Sequence, residues 1–192
     1  MLAIKNGKII IPLQKQNREE QKYNMVIEKY WAMPNKHTFS IKPIYELIEQ
    51  YKTNGLIIDP FANSSKIAPI ANDLDTQYDT DYHMDAIEFL KMFSDKSVDM
   101  VLYDPPYSAR QISECYKKMK LAVNMQTTQS SYWRKQKEQI KRIVKPNGIV
   151  ISCGWQSGGI GKKYGFLPLQ IRLIAHGGNH NDTIVVVERK KE

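Results

Sequence analysis

The segment Val98-Asp99-Met100-Val101-Leu102-Tyr103-Asp104-Pro105-Pro106-Tyr107 joins an apolar run to an aspartate, two prolines and a tyrosine. Its first six residues predict a buried strand, and open α/β sheets bind ligands at the carboxyl ends of their strands. Two consecutive prolines stiffen the backbone there and remove two N–H donors. We therefore predict a site that accepts hydrogen bonds through the carboxylate of Asp104 and the carbonyl of Pro105.

Such a site suits an amino group attached to a flat ring. The two acceptors would take the two amino hydrogens, and Tyr107 would stack on the ring. The alternative is an ordinary strand exit, in which the prolines make a bend and the tyrosine covers it, because a short motif needs structural context to count.

A second strand end lies upstream. Leu56-Ile57-Ile58 is a short apolar run that ends in the polar turn Asp59-Pro60-Phe61-Ala62-Asn63-Ser64-Ser65. Residues 66–71 then predict a short helix that Pro69 limits. A strand, a polar turn and a helix in this order form a layout that holds a nucleoside-like ligand.

In this order, Asp-Pro-Phe at 59–61 and Asp-Pro-Pro-Tyr at 104–107 resemble the amino-methyltransferases that use S-adenosylmethionine to methylate adenine N6 or cytosine N4. The resemblance implies a Rossmann-like α/β fold: a mostly parallel twisted sheet, helices on both faces and a C-terminal antiparallel hairpin. It covers residues 34–192 of a single domain, with residues 1–33 as an N-terminal extension. The implied catalytic residues are Asp104, Pro105, Pro106 and Tyr107.

The resemblance also implies residues for the methionine end of the cofactor. Ser40-Ile41-Lys42-Pro43 is similar to the family's T-x-K-P element, although Thr38-Phe39 stands where His-Pro is usual. Ser40 also suits an N-cap, with Pro43 in the first turn of a helix. Both interpretations can hold together.

Two acids resemble the residues that hold the adenosine end. Asp73 is similar to the acid that binds the ribose hydroxyls, with Asp75 as a competitor, and a solvated turn is the alternative. Asp85 is similar to the acceptor of the adenine amino group, and a helix N-cap with Glu88 in a capping box is the alternative. The complete implied cofactor set is Thr38, Ser40, Lys42, Asp59, Phe61, Asn63, Ser65, Asp73 and Asp85.

The first motif departs from the family, which commonly has D-P-F-x-G-x-G. Asn63 and Ser65 replace the two glycines. Asparagine tolerates a left-handed backbone better than other non-glycine residues, so Asn63 can hold the turn, and Ser65 adds a hydroxyl. The change leaves open a weak cofactor site, or one that orders only with substrate or a partner.

The charge of the chain is uneven. Ten of the 28 basic residues and two of the 20 acidic residues lie between Arg110 and Lys145, so this segment carries the whole net charge of +8. Such an excess beside the predicted catalytic segment is expected of a protein that binds a phosphate backbone, and a solvated helix face is the alternative. We expect the loop Gly158–Gly165 to close over nucleic acid, with a plain surface loop as the alternative. The predicted nucleic-acid contacts are Arg110, Lys117, Lys118, Lys120, Arg134, Lys135, Lys162 and Lys163.

Composition predicts a cytoplasmic protein, and the family resemblance implies that its host is a bacterium or a phage-infected cell. No apolar stretch approaches the length of a membrane span, and the N-terminus lacks a signal-peptide core. The two cysteines and four histidines have no metal-ligand spacing, so we expect no metal.

The resemblance implies S-adenosylmethionine-dependent methylation, and a tetrad that begins with Asp favours adenine N6 in DNA as its target. Alternatives are an RNA adenine or DNA cytosine-N4 methyltransferase, and a catalytically silent module that binds nucleic acid. About forty residues separate the tetrad from the next strand, too few to read a long site by direct base contacts. We therefore expect a short or degenerate target, or a homodimer or specificity partner that supplies more surface.

Overall fold

The computed structural model describes residues 3–5, 8–12, 24–118 and 130–192. The strands are β1 (Ala3–Lys5), β2 (Lys8–Pro12), β3 (Asn24–Trp31), β4 (Ile57–Asp59), β5 (Ile70–Ala71), β6 (Val98–Tyr103), β7 (Val144–Gly154), β8 (Phe166–Ala175) and β9 (Thr183–Lys190). The α-helices are α1 (Lys42–Tyr51), α2 (Ala86–Lys91), α3 (Ala109–Lys118) and α4 (Ser130–Ile143), and short 3-10 helices cover Thr38–Ser40 and Lys162–Tyr164. All these strands join one sheet in the order β1-β2-β3-β8-β9-β7-β6-β4-β5.

Most of the sheet is parallel. Strands β5, β4, β6 and β7 run in the same direction, and β9 is antiparallel to both of its neighbours, β7 and β8. It follows that β8, and β3 beside it, also run in the direction of β7. The parallel strands therefore end together at one side of the sheet, which we call the carboxyl edge, and begin at the opposite side, the amino edge.

The centre of the sheet is covered on both faces. Met100, Val101 and Leu102 of β6 are fully buried, as expected of a parallel strand between two layers of helix. One face packs against α1, through Ile44, Leu47 and Ile48, and the other packs against α2 and α4. The mixed α/β sheet and its C-terminal antiparallel hairpin, β8 with β9, confirm the predicted fold class.

The start of α1 differs from one interpretation of the sequence. The helix begins at Lys42 after Ile41, and Pro43 lies in its first turn as expected. The predicted N-cap at Ser40 is wrong: the Ser40 hydroxyl donates to the carbonyl oxygen of His37 at 2.7 Å. Ser40 closes the preceding 3-10 turn instead.

The short helix predicted for residues 66–71 is also wrong. Residues 67–69 form bends, and Ile70–Ala71 is strand β5, which pairs with β4. Pro69 cannot donate a backbone hydrogen bond and disfavours helical geometry in the residue before it.

Residues 145–148, Lys-Pro-Asn-Gly, lie within a continuous strand although proline, asparagine and glycine are typical of a turn. Residues 144–154 all belong to β7, and a register shift against β6 accommodates these four residues. Asn147 adopts a positive φ of 64°, which Asn tolerates better than most residues. The sequence Lys-Pro-Asn-Gly therefore marks a bulge in β7 at the amino edge.

The N-terminal extension contributes strands to the same sheet. Strand β3 pairs with β8 over six residues, and its Glu28 lies opposite Arg172. Both side chains are buried, and their charged atoms are 2.7 Å apart. No described helix has the length and apolarity needed to cross a membrane.

Candidate active site

The carboxyl edge brings the two polar turns together. Strands β4 and β6 are direct neighbours, so Asp59, at the end of β4, and Asp104, just after β6, both lie at this edge, close enough for the charge of Asp104 to act on Asp59. Residues of both turns line a cavity of about 410 Å³. A second cavity of about 280 Å³ adjoins it. The two cavities share the residues Thr38, Phe61, Asn63 and Asp104.

Asp104 is the acidic residue among the four that line both cavities. Its Oδ1 accepts a hydrogen bond from the Tyr107 hydroxyl, and its carboxylate also accepts from the Thr38 hydroxyl. Burial raises the pKa of Asp104, and these two hydrogen bonds oppose that shift. Burial, together with the charge of Asp104, raises the pKa of Tyr107. Tyr107 therefore remains a neutral hydrogen-bond donor.

The Asp59 turn is held by backbone hydrogen bonds. Asn63 has a φ of 50°, which confirms that asparagine supports a left-handed residue at this position. Its N–H donates to Asp73 Oδ2 at 2.8 Å, while Asp73 Oδ1 accepts from the N–H of Asp75. Both Asp73 and Asp75 line the larger cavity. Asp73 therefore joins the two turns that border one end of this cavity.

Asp59 is fully buried beneath the same turn. Its Oδ1 accepts from the N–H of Phe61 at 3.0 Å, and its Oδ2 has no hydrogen-bond partner among the described residues. Burial raises the pKa of Asp59 well above its usual range, and the charges of Asp104 and Asp73 raise it further. Three carboxyl groups thus crowd the carboxyl edge.

This crowding predicts a pH effect in the variant Asp59→Asn. A raised pKa means that the folded state binds the proton more tightly than the unfolded state, so the free energy of unfolding falls as pH rises from the usual carboxyl range through the raised pKa. Asn does not titrate, so the free energy of unfolding of the variant should lack this decline, which is at most about 1.4 kcal/mol per pH unit. The variant should therefore be more stable than wild type at neutral pH. Urea unfolding of both proteins across the acidic to neutral range measures the difference. Parallel stability curves would show that Asp59 titrates normally.

The smaller cavity collects hydroxyl groups from two segments. Thr38 and Ser40 line it from the 3-10 turn, and Ser65 lines it from the Asp59 turn. His37 Nδ1 and Ser64 Oγ join these segments at 2.8 Å. No spacing in the sequence indicates this pair, because the two residues are 27 positions apart. The structure does not bring Lys42 to the site: its side chain is 86% exposed and lies 3.9 Å from Glu46.

Asp85 is an N-cap in the structure. Its Oδ1 accepts from the N–H of Ile87 at 2.8 Å, and its Oδ2 accepts from the Tyr132 hydroxyl at 3.0 Å. Glu88 does not complete a capping box, since its carboxylate binds Lys91 at 2.7 Å. Asp85 is absent from the lining of both cavities, whereas its neighbours Met84 and Ala86 line the larger one.

The basic residues of the segment Arg110–Lys145 divide between the two edges of the sheet. The first turn of α4 reaches the carboxyl edge, where Trp133 Nε1 donates to the carbonyl oxygen of Pro106 at 3.0 Å. Its last turn reaches the amino edge, where Arg142 binds Asp95 at 2.7 Å; beyond the helix, Lys145 binds Asp99 at 2.7 Å. A helix of this length spans about 20 Å. The continuous basic segment of the sequence is therefore not one surface in the fold.

Several predicted contacts lie on the exposed faces of α3 and α4. Arg110 pairs with Glu114 at 2.8 Å, and Arg134 lies 4.0 Å from Glu138. Lys117 and Lys135 are exposed. The side chain of Lys118 and all of Lys120 lie outside the described residues.

The loop Gly158–Gly165 does not overhang the cavities. Glu188 accepts hydrogen bonds from the N–H groups of Ile160 and Gly161, which draws the loop against a face of the sheet. Lys162 and Lys163 directly precede β8, so they lie at the amino edge. A buried carboxylate thus holds this loop against the sheet, and its closure over nucleic acid stays a prediction.

Solved structures with a similar fold include a protein named as a SAM-dependent methyltransferase. TrmN from Thermus thermophilus matches 78% of this chain with 18% identity and a TM-score of 0.51, and the match covers 49% of the TrmN chain. A SAM-dependent methyltransferase from Methanosarcina mazei matches 77% of this chain with 12% identity and a TM-score of 0.50, over 98% of its own length. No protein-family model and no curated protein matches the sequence. At these identities the likeness establishes a Rossmann-like methyltransferase fold.

Proposed function

We propose that this protein transfers the methyl group of S-adenosylmethionine to the N6 amino group of adenine in DNA. The observation that carries the proposal is the position of Asp104. It lies at the junction of two adjoining cavities, after a strand that neighbours the strand ending in Asp59. The larger cavity can hold the nucleoside half of the cofactor, and the Asp104 carboxylate lies where the larger cavity meets the smaller one.

The chemistry of the lining fits this cofactor. S-adenosylmethionine supplies an activated methyl group on a positively charged sulfur. The carboxylates of Asp73 and Asp104 in the lining, and of Asp59 buried beneath it, complement positive charge, and burial raises the pKa of each. A cation bound near them would oppose these shifts.

We assign the two cavities to the two ends of the cofactor. Thr38, Ser40 and Ser65 would surround the methionine carboxylate in the smaller cavity, and Phe61, Asn63 and Asp73 would border the adenosine in the larger one. Asp85 remains the proposed acceptor for the adenine amino group, since a carboxylate oxygen can accept a second hydrogen bond beside that of Tyr132. Lys42 has no part in the assignment, because it is exposed on α1.

The tetrad would orient the target amine. An exocyclic amine on an aromatic ring is a weak nucleophile, because its lone pair is delocalised into the ring. Hydrogen bonds from its two hydrogens to Asp104 and to the Pro105 carbonyl would favour a tetrahedral nitrogen aligned with the methyl group. Tyr107 would stack on the base, which must leave the duplex to reach this position.

We further propose that the exposed basic residues of α3 and α4 contact the DNA backbone near the site. The double variant Arg134→Gln/Lys135→Gln should weaken DNA binding and reduce the slope of log K against log salt by about one unit for each residue. Binding titrations at several salt concentrations measure this slope. The matched control is Lys162→Gln/Lys163→Gln at the amino edge, which should leave it unchanged. A slope that changes only in the control would contradict this placement.

The direct test of function is the transfer of labelled methyl from S-adenosylmethionine to duplex DNA, single-stranded DNA and RNA, followed by nucleoside analysis. N6-methyldeoxyadenosine is the expected product. N6-methyladenosine from RNA alone or N4-methyldeoxycytidine would replace the proposed substrate. Absence of transfer to all three polymers, together with absence of cofactor binding by calorimetry, would reject the enzymatic function in favour of a silent binding module.

A further inference from the structure

We propose that Gln111 and Trp133 are positioning residues that set the direction of the Pro105 carbonyl, an inference that rests on the proposed function. Neither residue belongs to the Asp-Pro-Pro-Tyr tetrad. Gln111 lies on α3 and Trp133 lies on α4. Each makes one hydrogen bond to the backbone of the tetrad, and both bonds end on the same peptide group.

That peptide group links Pro106 to Tyr107. The indole Nε1 of Trp133 donates to its carbonyl oxygen at 3.0 Å. Gln111 Oε1 accepts from its N–H at 2.6 Å. Both hydrogen bonds are partly buried, so water competes with them less than at an exposed surface. The plane of the peptide is therefore held at both of its polar atoms by side chains from two helices.

The two prolines transmit this constraint to the acceptor. Within the tetrad, Pro105 and Pro106 have no N–H, so they cannot be held by backbone donation. The proline ring fixes φ of Pro106, which leaves ψ of Pro106 as the single soft torsion between the held peptide and the peptide that contains the Pro105 carbonyl. Holding one peptide plane thus restricts the direction of the carbonyl proposed to accept from the substrate amine.

The same helices carry the residues proposed to contact DNA. Gln111 directly follows Arg110 on α3, and Trp133 directly precedes Arg134 on α4. Both arginines are exposed and turned to solvent. DNA bound to these faces would contact the two helices that hold the Pro106–Tyr107 peptide. The same helices would then serve both DNA binding and alignment of the Pro105 carbonyl.

Two substitutions remove one hydrogen bond each: Gln111→Leu removes the acceptor at similar volume, and Trp133→Phe removes the donor but leaves a smaller aromatic ring. Each should lower kcat for methyl transfer by about 10- to 100-fold, the range expected of a small misalignment, while the Kd for S-adenosylmethionine and the unfolding midpoint stay close to wild type. The conservative variant Gln111→Glu keeps an acceptor oxygen and should retain most of the wild-type kcat.

The rate measurements have two outcomes that would overturn the inference. One is a kcat within twofold of wild type in both Gln111→Leu and Trp133→Phe. The other is an equal loss of kcat, cofactor affinity and stability, which would assign the two residues a general structural role. A kcat that falls selectively in Gln111→Leu and stays near wild type in Gln111→Glu supports the inference.

Amide hydrogen exchange at Tyr107 separates this inference from the proposed function. Exchange should accelerate at least about tenfold in Gln111→Leu and remain near wild type in Gln111→Glu, because the N–H loses its partner only in the first. A wild-type protein that transfers no methyl group would reject the proposed function. The exchange rates would then decide whether the peptide is held: unchanged exchange in Gln111→Leu overturns the inference, and selective acceleration supports it.

Discussion

Replacing Asp104 by alanine is expected to lower kcat for methyl transfer by about 10²- to 10⁴-fold, the range typical of removing a positioned acid, base or polar group from a reaction centre. Asp104 stands at the junction of the two cavities and, in the proposed function, receives a hydrogen of the substrate amine. The loss should fall on kcat, with the Kd for S-adenosylmethionine nearly unchanged. Single-turnover transfer of labelled methyl and calorimetry of cofactor binding measure the two quantities.

The matched variant Asp104→Asn adds a pH test. Burial raises the pKa of Asp104, and only the deprotonated carboxylate accepts with both oxygens, so wild-type kcat should rise with pH through a value above the usual carboxyl range. Asn keeps one acceptor oxygen and does not titrate, so the variant should be slower than wild type and lack this acidic limb. Persistence of the limb in Asp104→Asn, or an equal loss of cofactor affinity in Asp104→Ala, would contradict the role of Asp104 as the acceptor.

The largest effect on stability is expected at Glu28. Its Oε2 accepts from Arg172 at 2.7 and 3.1 Å and from Gln170 at 2.7 Å, and all three side chains are buried. Arg172 also donates to the carbonyl oxygen of Pro43 at 2.6 Å and lies over the ring of Tyr30. Glu28→Ala would leave a buried guanidinium without its counter-charge, which should cost about 3–5 kcal/mol in the free energy of unfolding.

Urea unfolding of three proteins tests this expectation. Wild type and Glu28→Ala give the cost of the broken pair, and the double variant Glu28→Met/Arg172→Met removes both charges while filling the space. The double variant should be more stable than Glu28→Ala, because it leaves no unpaired buried charge. If Glu28→Ala costs less than about 1 kcal/mol, as exposed ion pairs do, the pair does not tie β3 to β8 in the way described.

Local chemistry was sufficient to predict the strand ends of the site. Apolar runs followed by Asp-Pro-Phe and Asp-Pro-Pro-Tyr predicted two buried strands with polar turns, and the structure places them as neighbours. The tolerance of asparagine for a left-handed backbone predicted the conformation of Asn63. These predictions succeeded because each depends on side chains close together along the chain.

Where the answer depended on a distant partner, local patterns were insufficient. Asp85 suited both a cap and a ligand, and the Tyr132 hydroxyl that occupies its second oxygen comes from a helix more than forty residues later. The basic segment suited a single surface, but α4 crosses the sheet and separates Trp133 from Arg142. Residues 66–71 show the same limit: their local pattern predicted a helix, but Ile70–Ala71 pairs with β4 as a strand.

The sequence by itself determined the two motifs of the candidate site, because apolar runs, proline geometry and turn chemistry act over a few residues, and the resemblance that these motifs carry implied the α/β class and the C-terminal hairpin. Only the tertiary structure decided which groups surround those motifs: the hydroxyls of the second cavity, the ion pair between Glu28 and Arg172, and the two side chains that hold the Pro106–Tyr107 peptide. Those contacts join segments far apart in the chain, and sheet order and helix packing determine which of them meet.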